Sequence, residues 1–403
     1  MRIIFISATC SLKQYEEICS KRRYPLLDSS QKFFDMFLKG FAELADVKID
    51  CICVPPVSHG TYPGMYIKAR QEVVNNITYH SMGVINYPIL KSLTAQRAVK
   101  RKLHELVNAC REEIFIVADP LLLEGAVPSL RVGKKYGIKT IGFLTDLPDY
   151  ANECDEHSLL KKVLYRYYNK KCNQYLQKFS QYIFLTEAMN DTVNYNKKPW
   201  LLMECLVDIS DIKSVNEFKK NDIPSLLYAG KMHKQFGLDI LAEATDLVEK
   251  ECIFHIYGDG NYRKVLERRA VEQSNVCVHG IVPVSEVIKA EMNSTLLVNP
   301  RTSQGEFTKY SFPSKTAEYM LTGVPVVMFK LPGIPDEYDS YLYYAENETA
   351  EGLAKKIDEV LSLPMSSLVE KGRKAREFVM REKNSVKQAE RFIEFCTINE
   401  EKN

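Results

Sequence analysis

The stretch Ser311 to Val327, SFPSKTAEYMLTGVPVV, puts a serine and a lysine at the start of a helix and an acid, Glu318, one turn later. A capping box would need the acid at Ala317, three residues after Ser314, so it misses by one position. Glu318 instead shares a helical face with Ser314. A loop ending in Pro313, Ser314 and Lys315 offers an anion free backbone N–H groups, the positive end of the helix dipole, a hydroxyl and an ammonium. A carboxylate beside such a site does not bind the anion. It suits neutral donors next to it, and sugar hydroxyls adjoining a diphosphate fit that description. Lys231 adds a second cation. In Tyr228-Ala229-Gly230-Lys231 the glycine permits close approach and the lysine is a point charge at a strand end. Gly258-Asp259-Gly260 closes another strand and, taken alone, reads first as a plain turn. Gly280-Ile281-Val282-Pro283 follows a third and would present backbone groups to a planar base.

Alternating strands and helices must position these residues. RIIFIS opens the chain, followed by DVKIDCICV from Asp46, IFIVA at Ile114, TIGFLT at Thr140 and QYIFLT at Gln181. Helical patterns separate them, which predicts a parallel, doubly wound sheet. The series restarts with SLLYAG at Ser225, then CIFHIYG at Cys252, VCVHG at Val276, TLLVNP at Thr295 and VPVVMF at Val324. The expectation is an α/β chain of two Rossmann-like domains facing a cleft, 1–206 and 207–379, joined through the polar stretch LVDISDIKSVNEFKKNDIP. A last long helix, Met365 to Cys396, follows the second sheet, and its end, about 380–403, is placed to cross back onto the first domain. The opening strand runs into Ser7-Ala8-Thr9-Cys10 without Gly-x-Gly-x-x-Gly, so the dinucleotide fingerprint is absent where a dehydrogenase needs it.

Composition narrows the class further. With 403 residues, 45% hydrophobic and 26% charged, the chain is an ordinary globular protein of two or three domains. Fifty-four basic against 52 acidic residues leave +2, which gives no global attraction to nucleic acid. Eleven scattered cysteines read as reduced thiols, which points to the cytoplasm. No Cys, His and acid cluster suggests a metal. The N-terminal apolar run is too short for a signal peptide, and no 18-residue apolar stretch would span a bilayer.

In their order, LLYAGKMHKQFGLDIL, HIYGDG, VHGIVP, FPSKTAEYMLTGVPVV and LPGIPDEY resemble the family 4 glycosyltransferases of the GT-B architecture. Those enzymes transfer a sugar from a nucleotide diphosphate donor with retention. The resemblance is best from about Ser225 to Tyr338. It implies that Lys231 and Lys315 face the donor diphosphate, that Gly230, Gly258 and Ser314 line it, that the Ile281 region cups the base and that Glu318 holds the ribose hydroxyls. The family's first glutamate falls on Tyr310, with Glu306 four residues off, and its second basic residue falls on Phe236, with Lys234 out of register. Where the family often has His-Asp near the sugar, Thr145-Asp146 stands here. Lys231, Lys315, Asp146 and Glu306 are thus the candidate catalytic residues, with Gly230, Gly258, Ile281, Ser314, Glu318 and Tyr310 on the donor. Two lysines and a helix terminus suffice to stabilise a departing diphosphate, so no metal and no cofactor beyond the nucleotide sugar, expected to be a UDP-sugar, is called for. Tyr310, Phe236 and Thr145 keep a second reading open, a catalytically silent GT-B-like binding or scaffold subunit.

Other residues have competing explanations. Ser29-Ser30-Gln31-Lys32 opens a helix as an N-cap cluster or an acceptor contact, and His59 in PPVSHGTYPG reads as structural. Residues 157–171, HSLLKKVLYRYYNKK, form a basic, aromatic helix in which Leu160, Val163, Leu164 and Tyr167 share a face. That face either meets the core or lies on an anionic inner-membrane surface and brings the site to a lipid-linked or other glycan acceptor.

Overall fold

A computed structural model describes residues 1–23, 29–150, 159–208 and 223–398. The chain divides into two compact units, Met1–Leu206 with Ser385–Asn403, and Val207–Asn384. The expected join, 206–224, lies mostly outside the described residues.

The first unit holds strands β1 (Arg2–Ser7), β2 (Lys48–Cys53), β3 (Tyr66–Ile67), β4 (Arg70–Val74), β5 (Ile77–Ser81), β6 (Val84–Ile85), β7 (Ile114–Ala118), β8 (Thr140–Leu144), β9 (Gln181–Phe184) and β10 (Trp200–Leu202). Its helices are α1 (Leu12–Lys21), α2 (Ser29–Ala42), α3 (Leu90–Asn108), α4 (Leu123–Tyr136), α5 (Leu159–Leu176) and α6 (Glu187–Val193). Among the described residues eight strands form one sheet in the order β10-β9-β8-β7-β1-β2-β5-β4. Strands such as Ile3–Ile6 are buried on both faces, which is why they read as unbroken apolar runs. The pairing is parallel except at the edge, where β4 turns back antiparallel on β5 through Asn75 and Asn76 at φ 47° and 63°. That hairpin departs from the expected all-parallel sheet. Gln31 is buried, its side chain accepting from Cys10 N at 3.1 Å and donating to Cys10 O at 2.8 Å, so it braces the loop after β1. His59 is exposed and edge-on to Tyr87.

The second unit is built from β11 (Ser225–Lys231), β12 (Ile253–Asp259), β13 (Val276–Gly280), β14 (Leu296–Asn299), β15 (Val326–Met328) and β16 (Tyr343–Tyr344). Helices α7 (Leu238–Leu247), α8 (Arg263–Glu272), α9 (Val284–Met292), α10 (Ser314–Thr322), α11 (Ala350–Leu361) and α12 (Met365–Glu382) accompany them. The sheet order is β13-β12-β11-β14-β15-β16, parallel throughout. The order reverses between β11 and β14, and the carboxyl ends of strands at such a switch point are where open α/β sheets bind ligands.

The single helix expected from Met365 to Cys396 is two. α12 ends at Glu382 and α13 (Ser385–Ile398) begins after Lys383-Asn384, where Asn384 pairs with Val207 and Asn384 Nδ2 donates to the Met380 carbonyl at 2.7 Å. α13 packs on α2 in the first unit. Phe392, fully buried, meets Phe37 and Phe41 edge-on at 5.8 and 5.3 Å, extending an aromatic cluster that includes Phe5, Phe34 and Phe143. A Cβ on Gly40 would stand 2.0 Å from the Ser385 carbonyl oxygen, so glycine is what lets the two helices meet. No helix among the described residues is long and apolar enough to cross a membrane.

Removing this ring should therefore loosen the first unit. Phe392→Ala is expected to cost about 3–5 kcal/mol in urea unfolding, and Gly40→Ala should destabilise despite alanine's better helix propensity. A change under about 1 kcal/mol in Phe392→Ala would show that the helix is only loosely docked.

Candidate functional site: the strand ends of the second unit

β11 and β14 pair only at Leu226 with Leu296 and Leu227 with Leu297. Beyond that point β11 runs on alone on this side, and the backbone of Ala229 needs another partner. Tyr319 of α10 supplies it. Its hydroxyl, fully buried, accepts from Ala229 N at 2.8 Å and lies 3.3 Å from Ala229 O, to which it donates. Burial pushes the phenol well above its ordinary range, so it stays a donor. The start of α10 is pinned as well, because Asn299 Nδ2 at the end of β14 donates to Thr316 Oγ1 at 3.3 Å. The helix that opens with Ser314 and Lys315 is therefore fastened beside the strand that ends in Gly230 and Lys231.

Along the other side of β11, Gly230 registers with Gly258 and Lys231 with Asp259. Gly258 has φ 126°, and a Cβ on it would stand 1.9 Å from the Gly230 carbonyl oxygen. That close approach accounts for this glycine, which the sequence left open as a plain turn. Lys231 is exposed, and its carbonyl accepts from the buried Tyr228 hydroxyl at 2.9 Å.

Pro313 is the N-cap of α10 and gives no side-chain cap, and Ser314 is exposed in the first turn. The backbone N–H groups of Ser314 and Lys315 have no hydrogen-bond partner among the described residues, whereas Thr316 N donates to Pro313 O at 2.8 Å. The nearest anions to Lys315 belong to the protein. Its Nζ lies 3.0 Å from Glu318 Oε2 and 3.8 Å from Oε1 of Glu291, a carboxylate of α9 that is only 3% exposed. Glu318 is thus the lysine's ion-pair partner, a role the sequence did not suggest.

The remaining candidates are spread differently. Ile281 follows Gly280 and is 75% exposed, with Val284 beside it at 71%. Tyr310 is buried, and Glu306 is exposed with Lys309 Nζ at 4.0 Å. Both lie on the connection from β14 to α10. Phe236 packs against the core of the second unit, and Lys234 pairs with Asp239 at 3.4 Å. Asp146 belongs to the first unit, exposed in the bend after β8. Two residues were missed. Arg301 follows the end of β14, donates from Nη2 to Ser311 Oγ at 2.8 Å and lies over Phe307 at 5.6 Å. Its place directly after the strand end in TLLVNPR was the available signal. Glu291 had none, since an acid in a helical pattern reads as solvated.

Residues 223–362 match the profile of the family described as glycosyl transferases group 1. No curated protein sequence matches the chain. Solved structures share its architecture at low identity. The lipopolysaccharide outer core galactosyltransferase WaaB in its apo form superposes with a TM-score of 0.65 at 13% identity, covering 99% of this chain and 100% of that one. Sucrose-phosphate synthase from Thermosynechococcus elongatus gives 0.62 at 12%, covering 98% and 99%. Anabaena HepE in complex with UDP and glucose gives 0.61 at 11%, covering 98% and 99%. Residues 223–362 are thus similar to the group 1 glycosyl transferases, and the chain as a whole has the GT-B fold.

Proposed function

We propose that the chain moves a sugar from a UDP-sugar to a hydroxyl of a glycan or lipid-linked acceptor, with retention at the anomeric carbon. The observation that carries this reading is the fastening of α10 to β11 through Tyr319 and Ala229, which sets an open helix N-terminus beside Gly230 and Lys231 at the sheet's switch point. A diphosphate there meets N–H groups of Ser314 and Lys315, the Ser314 hydroxyl and the Lys231 ammonium. Arg301, at the end of the neighbouring strand, supplies the second cation that Phe236 does not. Ile281 and Val284 offer an apolar shelf for the base, and Glu318 accepts from the ribose hydroxyls. HepE, of the same fold, holds UDP and glucose, which supports the choice of base.

In the reaction the bond from the anomeric carbon to the diphosphate oxygen breaks, and its electron pair leaves with the phosphate. The acceptor oxygen bonds to the carbon from the same face, and its proton passes to a phosphate oxygen. Charge grows on the leaving group, so fixed cations and N–H dipoles stabilise the transition state more than the ground state. Lys315 takes part by exchanging its carboxylate partners for phosphate oxygens. Asp146 and Glu306 are proposed on the acceptor and sugar side, and Tyr310 beside the donor.

The first unit supplies a surface for a lipid-linked acceptor. α5 is anchored by Tyr168, whose hydroxyl donates to Leu121 O at 2.9 Å, and by buried Cys172 and Leu176. Val163, Leu164 and Tyr167 are instead 62%, 59% and 63% exposed, so the core-facing explanation fails for them, while the side chain of Leu160 lies outside the described residues. Lys162, Arg166 and Lys170 are exposed beside them. We place the protein at the cytoplasmic face of an anionic membrane on this ground.

Lys231→Ala is the clean test of the donor site, because the residue is exposed and its loss should leave the melting temperature unchanged. Turnover, read by release of nucleoside diphosphate, should fall at least ~30-fold, as expected for about 2–5 kcal/mol of lost charge pairing. Lys315→Ala should lose turnover and also stability, since it strips the buried Glu291 of its cation. Glu318→Gln should weaken nucleotide affinity with the fold intact. Undiminished turnover in Lys231→Ala would remove the diphosphate site, and nucleotide binding without turnover in the parent protein would leave the binding-subunit reading.

For the membrane surface, sedimentation with vesicles containing phosphatidylglycerol at low salt should carry the protein down, and neutral vesicles should not. Replacing Lys162, Arg166 and Lys170 by Gln should weaken the association by about 1 kcal/mol per charge. Equal partition into both vesicle types would discard the idea.

A further inference from the structure

Beyond the carboxyl ends of β2 and β5, the strand pair β3–β6 and the start of α3 hold a group of large apolar side chains that face solvent instead of the core. Met65, Tyr66, Tyr87, Ile89, Leu90 and Leu93 are all exposed, Ile89 at 78%. They belong to one surface. Tyr66 of β3 stands opposite Ile85 of β6, and Asn86 N donates to Met65 O at 2.7 Å. Ile85 N donates to Thr94 Oγ1 at 3.2 Å, which ties the strand pair to α3. Exposed apolar patches of this kind mark surfaces that meet a partner.

Stability does not explain the patch. Ile89 is the N-cap of α3, has φ 67° and gives no side-chain cap. A β-branched residue is strained in that left-handed region, and a side chain in solvent recovers none of the cost by packing.

Charge is lopsided here. From Cys51 to His104 the chain has a single acid, Glu72, against Lys68, Arg70, Lys91, Arg97 and the run Lys100-Arg101-Lys102, whereas the whole chain is balanced at 54 basic to 52 acidic residues. Lys68, Arg97 and Lys100 are exposed. On α3 the two kinds of group are layered. Leu90, Leu93, Arg97 and Lys100 recur three or four residues apart and so share a stripe. At 1.5 Å of rise per residue, Arg97 lies about 6 Å beyond Leu93 along the helix and Lys100 about 10 Å. Apolar groups of interfacial helices sink about 5–10 Å into the boundary between headgroups and acyl chains. A bilayer that takes up Ile89, Leu90 and Leu93 therefore meets the basic residues at the level of its phosphates. An acidic protein surface has no such layering by depth to match.

The topology agrees. α3, α4 and α5 carry the chain the same way across the sheet, from β5 to β7, β7 to β8 and β8 to β9. Right-handed crossovers put all three on one face, each starting at the carboxyl end of the parallel strands. The start of α3 and the exposed Val163, Leu164 and Tyr167 of α5 thus lie toward the same end of the unit.

We propose that β3–β6 and the first two turns of α3 form a wedge that enters an anionic bilayer, with Arg97 and Lys100 on the lipid phosphates. This contact is separate from the one proposed for α5. Together the two hold the carboxyl end of the first sheet toward the membrane.

The test measures how deep the wedge goes in the whole chain. Trp200→Phe removes the single tryptophan, and an indole is introduced by Ile89→Trp or, within the regular helix, by Leu93→Trp. Vesicles of phosphatidylglycerol brominated on the upper acyl chain should quench either indole at least about twofold, and brominated phosphatidylcholine should not. Ile89→Ser together with Leu90→Ser should weaken partition into phosphatidylglycerol vesicles about tenfold without lowering the melting temperature. Arg97→Gln and Lys100→Gln should each weaken it about fivefold. Ile89→Asn should raise the melting temperature, because asparagine tolerates positive φ, while weakening partition; a packing role would lower the melting temperature instead. Replacing Lys162, Arg166 and Lys170 by Gln should leave the indoles quenched in whatever protein is bound, which separates this contact from α5. Unquenched indoles on sedimenting protein would assign the membrane contact to α5 alone and overturn the wedge. Failure to sediment at all, or serine variants that partition as the parent does, would overturn it as well.

Discussion

In the second unit the ligand end of the sheet depends on how one stretch of backbone is satisfied. Parallel strands need partners on both sides, yet β14 leaves β11 after Leu227. An unpaired N–H and C=O at Ala229, buried in the sheet, would cost about 1–3 kcal/mol for each group. The Tyr319 hydroxyl answers both, and this fixes the helix that carries it. Ser314, Lys315 and Glu318 stand within two turns of Tyr319 on a rigid element, so their distance from Gly230 and Lys231 follows from that bond. Had β14 continued beside β11, α10 would have had nothing to hold on to at this height.

Much of this could be read in the sequence, for reasons that differ from residue to residue. Buried parallel strands announce themselves because both faces are apolar, and RIIFIS, IFIVA and SLLYAG were found where they lie. The edge hairpin β4–β5 was not, because its outer strand, RQEVV, is half solvated and carries no unbroken apolar run. The break at Lys383-Asn384 was hidden by a helical periodicity that continues through it, with neither Gly nor Pro to mark the stop. Gly230, Lys231 and Gly258 lie at the strand ends where the sequence placed them, and Lys315 in the first turn of its helix. What stayed hidden were contacts made in three dimensions. No spacing rule joins Tyr319 to Ala229 or Lys315 to Glu291. Phe236 and Tyr310 looked like gaps in a pattern, and the structure uses both for packing.

The surroundings of Lys315 alter how the site's charge should be counted. A lysine between Glu318 at 3.0 Å and the buried Glu291 at 3.8 Å is largely neutralised within the protein. An anion approaching the start of α10 would have to compete with these two carboxylates for it. Lys231 is exposed at the end of β11, and Arg301 donates to the Ser311 hydroxyl. The unit thus separates a lysine that also stabilises the fold from one that does not.

The return of α13 to the first unit has a consequence for how the chain comes to be folded. The first unit is discontinuous, and the second is inserted between its two parts. As the polypeptide is synthesised, residues 207–384 emerge as one uninterrupted stretch and can close their own core at once. The aromatic ring around Phe37 and Phe41 must wait for Phe392, more than three hundred residues later. Until then α2 exposes an apolar face to the solvent or to a chaperone. Assembly of the N-terminal portion therefore waits for α13, and a ribosome stalled before it would leave a finished second unit tethered to an unfinished neighbour.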